Sequence, residues 1–198
     1  MAVFRPSRGY GWAATYPLSS LTVTSQRADN TPTTSHNSNL SLLSDFLAKI
    51  PYKLRVNSGY RSLAVNTLVG GATTSQHMNG LAVDLTPSGL TNAELATWLY
   101  KNKASFPELD QVIWYSDTSH VHVGICPTGG TGCTRRGEFL TSSKEGGYYR
   151  PWAPTTAELA KQTALFIANR PLATAGWLGV ISLVAVAGAL LYRRRFRS

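Results

Sequence analysis

The sequence predicts an α+β domain, a small antiparallel sheet with flanking helices, followed by one C-terminal transmembrane helix. Three observations carry that expectation. The stretches Gly80 to Leu85 and Ser119 to Val123 alternate apolar and polar residues with the period of two of half-buried strands. Asn39 to Ile50 and Thr91 to Lys103 repeat apolar residues at helical spacing. Leu172 to Tyr192 carries no charge over 21 residues, enough to cross a bilayer as one helix.

Taken in order, residues 1–38 are rich in Ser, Thr, Asn and Gly and read as a partly ordered arm, with a short strand at Leu21 to Thr24. The basic start at Arg5 and Arg8 is not followed by an apolar stretch of signal-peptide length. His36 falls among Ser and Asn and reads as a solvated loop residue. In the first helix Leu40, Leu43, Phe46 and Leu47 form the apolar stripe, and Pro51 stops it. Lys53 to Asn57 is a short strand that turns at Ser58-Gly59, and Leu63 to Val69 is a short helix ended by Gly70-Gly71. Thr91 and Glu94 have capping-box spacing at the head of the next helix, whose buried stripe is Leu95, Trp98 and Leu99. Gln111 to Tyr115 and the His-bearing run after it are close enough to form an antiparallel hairpin. Residues 135–154 read as a Gly-, Arg- and aromatic-rich loop, and Thr155 to Asn169 as a helix capped by Thr155 and Glu158. The organisation is then an arm (1–38), a catalytic domain (39–134), a loop and helix linker (135–171), a transmembrane helix (172–192) and a basic tail (193–198).

The chemistry concentrates on His. In the strand His120 to Val123, His120 and His122 share one face and Val121 and Val123 the other. In the other strand Leu81, Val83 and Leu85 face a core, while Ala82, Asp84 and Thr86 face away from it. His77 arrives from the turn before that strand, with Gly80 giving the chain room to bend. Two imidazoles and one carboxylate make a three-ligand set for a catalytic zinc, whose fourth position is left to water. A structural zinc would more often have four ligands rich in Cys. The two Cys, Cys126 and Cys133, bracket a turn-rich PTGGTG loop, either as a small disulfide loop or as free thiols.

These stretches come in the order seen in a known family. Ser58-Gly59-Tyr60-Arg61-Ser62, Asn66, Val69-Gly70-Gly71, the run from Ser75 to Asp84, Asp110 to Trp114 and Val121-His122-Val123 together resemble the zinc D-Ala-D-Ala carboxypeptidases and phage endolysin peptidases, which share a fold with the hedgehog signalling domain. The resemblance covers roughly residues 40–125. It implies that His77, Asp84 and His122 hold Zn2+, and that Arg61 and Ser75 line the substrate site. Relatives commonly carry Trp two residues before the last His, where this chain has His120. Many place the general-base carboxylate three residues before that His; Ser119 stands there, and Asp117 is the nearest carboxylate. Asp117 is therefore the first candidate for the base, and His120 for the base or for a donor to the oxyanion.

The implied activity is hydrolysis of peptide bonds in bacterial peptidoglycan by a membrane-anchored phage lytic or entry enzyme. The alternative is a zinc-containing wall-binding or virion structural protein that does not cleave. The net charge of +9 favours an anionic partner such as a bacterial wall. No helix-turn-helix, zinc knuckle or ribonucleoprotein motif occurs, so no nucleic acid is expected as partner. Trp177 and Tyr192 suit the two membrane interfaces. Arg193, Arg194, Arg195 and Arg197 place the tail in the cytoplasm by the positive-inside rule, with a virion membrane as a further setting.

Overall fold

The computed structural model describes residues 16–116, 120–128, 133–144 and 146–168. Its centre is a six-stranded sheet in the order β1-β2-β4-β3-β5-β6. The strands are β1 (Leu54–Ser58), β2 (Ala82–Pro87), β3 (Leu109–Tyr115), β4 (Val121–Ile125), β5 (Glu138–Ser142) and β6 (Arg150–Pro151). The helices are α1 (Leu18–Leu21), α2 (Thr34–Ala48), α3 (Leu63–Leu68), α4 (Asn92–Asn102) and α5 (Thr156–Ala168). A 3-10 turn at Gln76–Asn79 leads into β2, and another at Lys103–Ser105 follows α4.

The alternation expected of the central strands is present. Leu81, Val83 and Leu85 at β2, with Val121, Val123 and Ile125 of β4, join Val112 in one apolar cluster. The same cluster takes Leu40, Leu43, Phe46 and Leu47 of α2, and Leu95, Ala96, Trp98 and Leu99 of α4. The two helices thus cover one face of the sheet, and the opposite face is left to polar chemistry. Each buried Leu or Val contributes about 1.5–3 kcal/mol relative to exposure, so the core holds the central strand register firmly.

The sheet corrects the expected all-antiparallel arrangement. β3 and β4 form the expected antiparallel hairpin, but β5 runs parallel to β3, with Val112 beside Phe139 and Trp114 beside Thr141. The sheet is therefore mixed. The strand lay hidden in residues 135–154 because its five residues, EFLTS, sit between Gly- and Arg-rich flanks. It is held by Phe139, which enters the core, and by Gln111, which donates to Glu138 at 2.9 Å. Both are contacts across the sheet, with no local pattern.

The N-terminal region also differs. A helical turn, α1, replaces the expected strand at Leu21 to Thr24, and α2 starts at Thr34 rather than Asn39. His36 is not a solvated loop residue. It occupies the third position of α2, where its Nδ1 accepts from the Thr33 backbone N–H, and its ring packs on Tyr60 at 4.7 Å. Here His takes the place Glu has in the usual capping box. The capping boxes expected at Thr91/Glu94 and Thr155/Glu158 both form. The two Cys are joined as a disulfide, Cys126–Cys133, with Cα atoms 5.6 Å apart. Among the described residues no helix is long and apolar enough to cross a membrane. The expected span from Leu172 to Tyr192 lies outside the described residues.

Candidate metal centre

The sheet register builds the site. β2 and β4 are antiparallel, and Asp84 lies directly opposite His122. Residues so placed have Cβ atoms about 4.5–5.5 Å apart and project to the same face. On the core face the flanking pair Val83 and Val123 are also opposite each other, so the packing that fixes the register also places the polar pair.

His77 comes from the 3-10 turn, which Gly80 closes at φ 67°. That left-handed conformation favours Gly, and a Cβ there would also lie 3.2 Å from the His36 carbonyl oxygen and the Leu40 side chain. The turn thus presses on α2 while it sends His77 over the sheet. His77 Nδ1–H donates to the Gly59 carbonyl at 2.7 Å. This bond fixes the tautomer and leaves the Nε2 lone pair directed into the site.

The three side chains converge. His77 Nε2 is 3.2 Å from His122 Nδ1 and 3.3 Å from Asp84 Oδ1, and His122 Nδ1 is 3.0 Å from the same oxygen. Tetrahedral zinc with bonds of about 2.0–2.1 Å sets its ligands about 3.3 Å apart. The separations match that edge, and the donor set of two imidazole nitrogens and one carboxylate oxygen is a zinc set. The residues therefore fit the ion.

Charge states agree with that fit. Burial raises the Asp84 carboxyl, but the neighbouring imidazoles of His77 and His122, when they carry a proton, hold it well below the usual carboxylate range. Burial pushes His122 down from its ordinary value, against the pull of Asp84. An ionised carboxylate and a neutral imidazole are the forms that bind metal. Arg61, only 8% exposed, donates to Asp84 Oδ2 at 2.6 Å and to Ser58 Oγ at 2.8 Å. The guanidinium holds one carboxylate oxygen and leaves the other to the histidines.

The remaining predicted residues fall as follows. His120 lies on the His122 side of the sheet, its Nε2 4.0 Å from Asp84 Oδ1 and its ring 4.9 Å from that of Tyr115. That nitrogen is buried and has no hydrogen-bond partner among the described residues. Ser75 immediately precedes the His77 turn, half-buried, and its side chain does not cap it. Asp117 lies outside the described residues.

Two features of the surroundings were not anticipated. Gly59 approaches Leu21 so closely that a Cβ would overlap the Leu21 carbonyl. Asp110, fully buried at the start of β3, binds the Arg136 guanidinium and accepts from Gln76, the residue before His77. Gln76 in turn lies over Gly124 of β4, where a Cβ would overlap its amide. An acid inside an apolar strand was the one sequence signal for this cluster; its partner Arg136, 26 residues on, carried none.

An α+β sheet and the turn beside it bring two imidazoles and one carboxylate close enough to share one ion, the donor set of a mononuclear metal site. The chain belongs to the Peptidase M15 family, whose model matches residues 16–124. It is accordingly a metallopeptidase of a zinc-dependent family. No curated protein matches the chain.

Proposed function

We propose that the protein is a membrane-anchored zinc peptidase that hydrolyses peptide bonds of bacterial peptidoglycan, as a phage lytic or entry enzyme. The observation that carries the peptidase reading is the triangle of His77, Asp84 and His122 beside the unpartnered Nε2 of His120. Family membership supports the wall peptide as substrate. The anchor rests on the uncharged run from Leu172 to Tyr192 and the Arg tail behind it. The tail then lies in the cytoplasm or inside a virion membrane, and the peptidase domain faces the wall.

When bound, zinc supplies a Lewis acid for the scissile carbonyl and for the attacking water. The chain's own residues do the rest. His77 and His122 present neutral nitrogens, and Asp84 an ionised oxygen held by Arg61. Asp117 is the first candidate for the base that takes the water's proton, and His120 Nε2 serves as the alternative base or donates to the oxyanion that forms. Ser75 and Arg61 line the substrate side, Arg61 while it anchors Asp84.

Incubating the full chain with purified peptidoglycan, and weighing the released fragments by mass spectrometry, tests the reading. New free peptide termini that a chelator suppresses and added zinc restores are the expected result, and the fragment masses identify the bond. Binding to the wall without release would instead mark a non-catalytic wall module. Protease accessibility of the domain in intact cells and spheroplasts tests the topology.

A further inference from the structure

The segment from Leu21 to Asn30 runs beside the Tyr60 to Ser62 turn without forming a strand with it. The Leu21 carbonyl accepts from the Tyr60 N–H at 2.7 Å. The other ties are made largely by one side chain. Asn30 Nδ2 donates to the carbonyls of Tyr60 at 2.9 Å and Thr22 at 2.8 Å. Its Oδ1 accepts from the Ser62 N–H at 2.7 Å. One primary amide, with two donors and one acceptor engaged, thus grips the main chain on both sides of Arg61. Ser62 Oγ adds a bond to the Asp29 carbonyl at 2.6 Å.

The gripped turn supplies the outer contacts of two metal ligands. The Gly59 carbonyl sets the His77 ring, and the Arg61 guanidinium holds Asp84. The Arg61 backbone N–H also donates to the His77 carbonyl at 3.1 Å. We propose that Asn30 is a positioning residue of the metal centre: by clamping Tyr60 and Ser62 it fixes the Gly59 carbonyl on His77 and the Arg61 guanidinium on Asp84. This rests on the reading of His77, Asp84 and His122 as zinc ligands. Asn is suited to the task because no other side chain of its length offers two donors and an acceptor in one plane. Asp would keep the bond from Ser62 but set an oxygen against two carbonyls. Outer-shell partners of this kind commonly govern metal affinity about 10- to 100-fold.

The test uses the full chain and zinc alone, with affinity measured by competition against a chelator and metal-free stability by thermal melting. Asn30→Ala and Asn30→Asp should each weaken zinc binding about tenfold or more. Asp29→Ala serves as the control on the same segment, because among the described residues its carboxylate bonds to Thr31 and not to the clamped turn, and it should leave zinc affinity unchanged. If Asn30→Ala does not fold, Asn30→Asp, which keeps the Ser62 bond, carries the test. Unaltered zinc affinity in the folded Asn30 variants, with only a lowered melting temperature, would overturn the inference and leave the metal centre standing. If the unaltered chain takes up no zinc, the metal-centre reading falls, and this inference with it.

Discussion

Asp84 and His122 reach the candidate metal centre by one route, His77 by another. The first two stand opposite each other on paired strands, placed by a register that the apolar core enforces from the far side of the sheet. The third rides on a 3-10 turn held by Gly80 and by single bonds to the turn after β1. The strand pair is as rigid as the domain itself, because displacing it means slipping the sheet. The turn-borne ligand depends on a few local contacts, which are free to fail while the domain stays folded. Stability and metal binding should therefore be coupled at the strands and separable at the turn.

The largest expected effect strikes the strand pair directly. Asp84→Asn removes one of the three proposed ligands and the carboxylate charge that faces the buried Arg61 guanidinium. It should abolish stoichiometric zinc by metal analysis and cost about 3–5 kcal/mol in denaturant unfolding. Leu85→Ala, on the core face of the same strand, should cost about 2–5 kcal/mol. It should weaken zinc as well, and a loss of stability with unaltered zinc affinity would break the proposed coupling. Gly80→Ala imposes a left-handed backbone on Ala beside the His36 carbonyl and should cost about 1–2 kcal/mol. Its effect on zinc affinity should exceed that of Leu85→Ala relative to the stability lost, since the strained residue closes the turn that carries His77. The smallest effect lies far from the site. Glu94 caps α4 at Thr91 and pairs with Lys161 at 3.0 Å, and the Thr91 backbone bond, outweighing its partial burial, lowers its carboxyl from the ordinary value. Its contribution is then present above the usual carboxylate range and is lost as pH falls through the lowered value. Glu94→Gln, which keeps the capping geometry and loses the charge, should cost about 0.3–1 kcal/mol at neutral pH and less in acid, with zinc affinity unaltered at neutral pH.

Much of this arrangement was legible from the chain. The alternation around Asp84 and in His120 to Val123 gave the faces of β2 and β4 directly, because a strand's period of two is a local property. The Thr91/Glu94 cap and the stripe of α4 were equally local. The parallel placement of β5 was not, since a five-residue strand between glycines gains its identity from Phe139 reaching a core built by other elements. Nor was the ordered run leading into α2, where Asn30 serves as a clamp and His36, in the first turn of the helix, as part of its cap. Both work through partners that composition does not announce, and a Ser-, Thr- and Asn-rich stretch reads as loop whether or not those partners exist.

Sequence alone settled which residue types face the core, which three side chains could share an ion, and the family to which they point. The first two follow from side-chain periodicity and donor chemistry, which need only near neighbours along the chain, and the third from the order of the motifs between Ser58 and Val123. Tertiary structure decided that Asp84 stands opposite His122, that Arg61 spends its charge on that carboxylate, and that the segment from Leu21 to Asn30 braces the turn that holds His77 and Asp84. Each of these joins residues far apart in sequence, and such contacts exist only once the core has fixed the strands in register.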